Sequence, residues 1–236
     1  MKTNRNTKGW TAKTEKEMKV QPGVTKVHNL IIVDESGSMH SIYNAALSGM
    51  NETLNSIRKL AAEYPEQAQE VTLVTFDSSH YNKIFDSTPA AKTRELNTND
   101  YRPGACTPLY DALGKALTEL EPMVKEKEAV LVTVITDGYE NASCEFSLAD
   151  IRALVERLDN AGWLFSYIGA NQDAAAVGGS MGIIDTLNFE ANEDSMNCMW
   201  KTQIDARNDF ITQSRDDNFS PKNFMRGKFF KKKLKI

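Results

Sequence analysis

The segment Asp34-Glu35-Ser36-Gly37-Ser38 closes an apolar, β-branched run and sets a carboxylate and two hydroxyls at alternate positions. Two further oxygen groups stand at comparable places. Thr107 comes just before a helical pattern, and Asp137 follows the buried run Ala129–Ile135. Five oxygen groups, with neither His nor Cys among them, suit a hard cation: Mg²⁺ first, Mn²⁺ or Ca²⁺ as alternatives. Each residue also has a plainer reading. Ser36 or Ser38 would serve as a cap for the first helix, and Thr107 stands where an N-cap precedes Pro108. Asp137-Gly138 alone is an ordinary turn. Their conjunction at three strand ends is what points to a metal site. Glu35 and Asp111 read as solvent-facing or supporting groups, and His40 as an exposed helix residue.

Other chemistries find less support. No Gly-x-Gly-x-x-Gly follows the first strand and no Gly-x-x-x-x-Gly-Lys opens a helix, so dinucleotide and P-loop sites are not indicated. A metal-dependent phosphatase-like hydrolase would need a second carboxylate near Asp34, where Ser36 stands. Neither Ser36 nor Ser38 stands in a Gly-x-Ser-x-Gly elbow that would make it a nucleophile.

The elements that must position these groups alternate in period. Val27–Val33 reads as a buried strand. Ile42, Ala46, Met50, Leu54, Ile57 and Ala61 mark one face of a long helix. Strands are expected at 71–76 and 81–85, antiparallel across the turn Asp77–His80. A helix opens with Pro108 at its first position and carries Leu109, Leu113, Ala116, Leu117 and Leu120. Ala129–Ile135 is the clearest buried strand. Ser147-Leu-Ala-Asp150 resembles a capping box. Strands near 163–168 and 184–189 and helices near 174–181 and 196–214 complete the chain. Alternation of this kind means βαβ units and a mostly parallel sheet covered on both faces. Such sheets bind ligands at the carboxyl ends of their strands.

The motif set Asp34-x-Ser36-x-Ser38, Thr107 within Cys106-Thr-Pro-Leu-Tyr-Asp111, and Thr136-Asp137-Gly138 resembles the metal-ion-dependent adhesion site of von Willebrand factor type A (vWA) domains. The resemblance runs over about residues 25–190, and all five of the family's metal positions are filled. One departure is Arg102-Pro-Gly-Ala-Cys106, where many relatives carry a glycine run. The resemblance implies a doubly wound α/β fold with a six-stranded sheet of order 3-2-1-4-5-6, strand 3 antiparallel. It also implies a divalent-cation site that binds a protein partner through an Asp or Glu carboxylate, rather than an enzyme.

Composition fits one globular domain with extensions. The 236 residues are 41% apolar and 25% charged. The net charge of −4 is unevenly spread: +5 over residues 1–26, −16 over 27–217 and +7 over 218–236. The expected organisation is a basic lead-in at 1–24, the domain at 25–217, and a basic tail at 218–236 that folding does not need. The tail reads first as a solubilising extension, and it alone offers a surface for nucleic acid, an anionic membrane or the protein's own acidic face. Cys106, Cys144 and Cys198 are an odd count without a Cys-x-x-Cys pair, and read as free thiols. No apolar run approaches the roughly 20 residues of a membrane helix. The polar N-terminus carries no apolar leader, so the cytoplasm is the expected compartment.

Overall fold

The structure is a computed structural model that describes residues 23–170, 173–216, 218, 219, 221, 229 and 230. Six strands form one sheet in the order β3-β2-β1-β4-β5-β6. They are β1 (Lys26–Asp34), β2 (Ala68–Phe76), β3 (Tyr81–Pro89), β4 (Glu128–Thr136), β5 (Leu164–Ala170) and β6 (Asp185–Phe189). All neighbours run parallel except β2 and β3, which are antiparallel. This is the fold class and strand order expected from the sequence. β1 lies at the centre, buried along nearly its whole length, which is why its residues are apolar on both faces.

The helices divide between the faces. α1 (Tyr43–Glu63) and α5 (Glu193–Ser214) cover one, with Met50, Ile57, Trp200 and Phe210 in that core. α2 (Leu109–Leu120) and α3 (Leu148–Ala161) cover the other with Leu113, Leu117, Ile151 and Val155. A short α4 (Ala174–Ser180) precedes β6. The expected capping box at Ser147 and Asp150 is formed. α1 and α5 approach closely because position 49 lacks a side chain; a Cβ at Gly49 would fall 2.0 Å from the Trp200 indole nitrogen. The fully buried Arg207 pins α5 to the sheet. It donates to Asn29 Oδ1 on β1 at 2.6 Å and to Thr133 Oγ1 on β4 at 2.8 Å.

The expected lead-in and most of the basic tail lie outside the described residues. Phe229 and Phe230 do not. Both are buried in the core under α1 and α5, edge to face with centroids 5.1 Å apart. The Phe229 backbone N–H donates to Asp185 Oδ1 on β6 at 2.9 Å. These two residues of the expected tail are thus packed against the domain.

Candidate metal centre

Sheet register brings the candidate ligands together. Val33 on β1 pairs with Ile135 on β4, so the strands end side by side and Asp34 meets Thr136. The Thr136 hydroxyl donates to Asp34 Oδ2 at 2.5 Å, and the Ser36 backbone N–H donates to Asp34 Oδ1 at 2.7 Å. The Ser36 and Ser38 hydroxyls stand 3.1 Å apart. The Ser38 hydroxyl donates to Asp137 Oδ1 at 2.5 Å.

Thr107 reaches the same point from the loop before α2. A Cβ added to Gly138 would lie 2.9 Å from Thr107 Oγ1, 3.5 Å from Asp34 Oδ2 and 3.7 Å from Ser38 Oγ. Oxygens from three separate segments thus face one small space, kept open because residue 138 carries no side chain. These residues fit a hard cation: two carboxylates and three hydroxyls, with no nitrogen or sulfur among them.

The hydroxyls are not spent on helix capping. Ser36 occupies the cap position of the 3-10 turn at Gly37–Ile42 but accepts no capping hydrogen bond. Pro108, not Thr107, is the N-cap residue of α2, so the proline sits one place before the helical position the sequence suggested. Its ψ of 65° is not helical, and Leu109 begins the helix.

Electrostatics favours a cation here. Asp34 is fully buried, and burial pushes its carboxyl up to about 6, with Asp137 adding repulsion and the Thr136 and Ser36 donors pulling the other way. Burial also raises Asp137. Two carboxylates whose burial opposes their ionisation are relieved by a positive ion beside them. Among the described residues no three His, Cys, Asp or Glu side chains gather as a metal cage. The hydroxyl-rich set is therefore a different kind of site from a carboxylate cage.

Supporting contacts hold the rim. Of the two readings of Glu35, solvent-facing or supporting, the structure shows the supporting one: it is buried, accepts from the Arg102 backbone N–H and shares a 2.8 Å contact with His80 Nε2. His80 also lies 2.9 Å from Asp77, which ties the β2–β3 turn to the ligand loop. The Tyr101 hydroxyl donates to the Asp34 carbonyl at 2.8 Å. Asn141 clamps the Thr107 backbone twice, at 2.8 and 3.1 Å. Asp111 is a loop tether: its carboxylate accepts from the backbone N–H groups of Cys144, Glu145 and Phe146. Burial opposes ionisation of that carboxyl, but the three donors hold it below its ordinary range. His40 is exposed on the 3-10 turn, as expected. The sequence reading passed over Thr136, Gly138, Tyr101 and Asn141 as site residues. Only Thr136 and Gly138 carried a local signal, flanking Asp137 in the quoted tripeptide.

No protein-family model matches the sequence, and no curated protein matches it. Solved structures do share its fold. The vWF domain of the type V pili tip protein Mfa5 from Porphyromonas gingivalis superposes with a TM-score of 0.57 at 11% identity, over 80% of this chain and 97% of that one. The SpRpn10 VWA domain gives 0.54 at 12% identity, over 75% of this chain and 94% of that one. Proximal thread matrix protein 1 from the mussel byssus gives 0.54 at 16% identity, over 78% of this chain and 47% of that one. The chain thus spans about half the length of the mussel protein. At these identities the likeness establishes a vWA-like fold.

Proposed function

We propose that this rim is a divalent-cation-dependent protein-binding site. Asp34, Ser36, Ser38, Thr107 and Asp137 would hold Mg²⁺, or Mn²⁺ or Ca²⁺ in its place. When bound, the ion supplies a positive centre that accepts a carboxylate oxygen from an Asp or Glu of a partner. Three of the five ligands are neutral, so the protein leaves much of the ionic charge for that partner. The observation that carries this reading is the shared space beside Gly138, onto which Thr107, Asp34 and Ser38 oxygens converge. Neighbours with this fold include a protein of pili tips and one of byssal threads, in keeping with a role in binding.

We favour a binding module over a hydrolase because Ser36 stands where a second carboxylate would be needed as nucleophile or base. The cytoplasm is the proposed compartment, with which three exposed free thiols are compatible. Among the described residues no helix is long and apolar enough to cross a membrane.

Thermal melts in Mg²⁺ and in EDTA test the site. Binding to the native state alone adds RT ln(1 + [L]/Kd), about 2.7 kcal/mol at a hundredfold excess over Kd. The metal-induced shift should be present in the wild type and absent in Asp34→Ala. Equal responses in the two proteins would remove the site.

A further inference from the structure

A groove of about 430 Å³ opens beside the ligand loop, between the start of α1 and the segment before Thr107. Its floor is aromatic: Tyr43, partly exposed, stacks on the fully buried Tyr101 ring with centroids 5.8 Å apart. Its walls carry Arg102, His40 and Asn44, and no carboxylate lines it. That is unusual in a stretch with a net charge of −16. Arg94, Arg157 and Arg215 are each held by a carboxylate. The Arg102 guanidinium instead donates to the neutral Asn99 side chain, and among the described residues it has no ion pair.

The groove on the other flank of the site has the opposite character. It measures about 360 Å³ and is lined by Asp77, Asp111 and Glu145. Its charges are satisfied internally. Asp111 is taken by three backbone N–H groups, Asp77 by His80, and Glu145 by Lys115 at 2.7 Å. That groove, which His80 and Lys115 also line, offers an acidic partner side chain no cation that is not already paired, whereas the Arg102 side does.

The Arg102 groove is also joined to the ligand loop. Tyr101 in its floor donates to the Asp34 carbonyl, and the Arg102 backbone N–H donates to the Glu35 carboxylate. An occupant of the groove therefore rests on residues that position Asp34. We infer that the protein partner presents two acidic side chains, one for the rim cation and a second for Arg102 over the Tyr43–Tyr101 floor. This deepens the proposed binding function and rests on it. A planar guanidinium takes a carboxylate through two parallel hydrogen bonds, a geometry an ammonium lacks. The ring floor shields the pair from water and stiffens the pocket.

The test uses fluorescein-labelled Gly-Ser peptides in excess Mg²⁺, read by fluorescence anisotropy. One set carries a single Glu; the other carries two, separated by one to four residues. At its best spacing the two-Glu peptide should bind about tenfold tighter than the one-Glu peptide. Arg102→Gln should remove that advantage and leave one-Glu binding unchanged, while Arg102→Lys should restore only part of it. A two-Glu peptide no tighter than one-Glu at every spacing overturns the inference. So does an Arg102→Gln loss shared equally by both peptides. Two-Glu binding that depends on Arg102 but survives EDTA would keep the Arg102 groove as an acid-binding site and remove the metal reading. No binding by any peptide would overturn both.

Discussion

The Thr136 hydroxyl donates to Asp34 Oδ2 at 2.5 Å, and the Gly138 backbone N–H donates back to Thr136 Oγ1 at 3.0 Å. One hydroxyl thus links the end of β4 to the end of β1 and fixes the turn that carries Asp137. Asp34 is wholly buried, so its carboxylate depends on such donors in place of water.

Thr136→Val keeps the shape and removes the donor. The loss should cost about 1–3 kcal/mol, the usual penalty for a buried polar group left without a partner. Metal affinity should fall by about 10–100-fold, as when a supporting hydrogen bond to a ligand is removed. Urea denaturation in EDTA and titration with Mn²⁺ would measure the two effects. Unchanged metal affinity would show that Thr136 serves the fold and not the site.

Acidification from pH 7.5 to 5 should strengthen the contribution of Asp34 to the stability of the metal-free protein. The Asp34 carboxyl is raised from 3.8 to about 6 in the folded chain, so the native state holds its proton more tightly than the unfolded one. The favourable contribution is complete below about 3.8 and is lost as pH rises through about 6. Two pKa units correspond to about 3 kcal/mol, and Asp137 acts in the same direction. Denaturation in EDTA at pH 5, 6 and 7.5 should show wild type losing stability toward pH 7.5 relative to Asp34→Asn. Parallel profiles for the two proteins would contradict the burial of an ionisable Asp34.

The sequence carried most of the sheet because β1, β2, β4 and β5 contain short apolar runs, though β6 (Asp185–Phe189) does not, and the helices because their apolar residues recur every three to four places. It carried Asp34, Ser36 and Ser38 because they lie on one turn. Glu35 could be read from sequence as either solvent-facing or supporting, since its partners His80 and Arg102 are brought to it only by folding. Tyr101 and Asn141 escaped for the same reason: each acts on a residue far along the chain or through its backbone, which composition and period do not encode. Arg207 is similar, a charge that reads as surface within a weakly amphipathic helix yet lies fully buried among neutral acceptors.

The two tail phenylalanines give a third prediction. Lysines dominate the composition around Phe229 and Phe230, which made the segment read as solvated. Both rings are nonetheless buried against the core that holds Trp200 and Phe210. Replacing both with Ala should cost at least about 3 kcal/mol, at the lower end for a buried Phe because the site is at the edge of the core. Chemical denaturation of the double variant decides it. A loss below about 0.5 kcal/mol, the scale of ordinary surface changes, would return the tail to the solvent.

Gly138→Ala separates site from fold more cleanly than removal of a ligand. Asp34→Ala deletes a buried charge and an ion contact together, so its effects are mixed. The alanine methyl would enter the space that the ligand oxygens face, 2.9 Å from Thr107 Oγ1 and 3.5 Å from Asp34 Oδ2. At that distance the Thr107 side chain must turn away, a small movement for one hydroxyl. Gly138 does not adopt the left-handed backbone that would itself resist a side chain, unlike Gly162 and Gly182. The metal-free variant should therefore stay within about 1 kcal/mol of wild type, the range of a modest steric adjustment. Its stabilisation by Mg²⁺ should disappear. Thr107→Ala provides the control, since it removes one neutral ligand while leaving the space open. It should weaken metal binding without abolishing it, and α2 loses no cap because Pro108, not Thr107, occupies its N-cap position. Melting curves of wild type and both variants, each in Mg²⁺ and EDTA, read the outcome. A Gly138→Ala protein with an undiminished Mg²⁺ shift would place the ion elsewhere and leave these hydroxyls as structure alone.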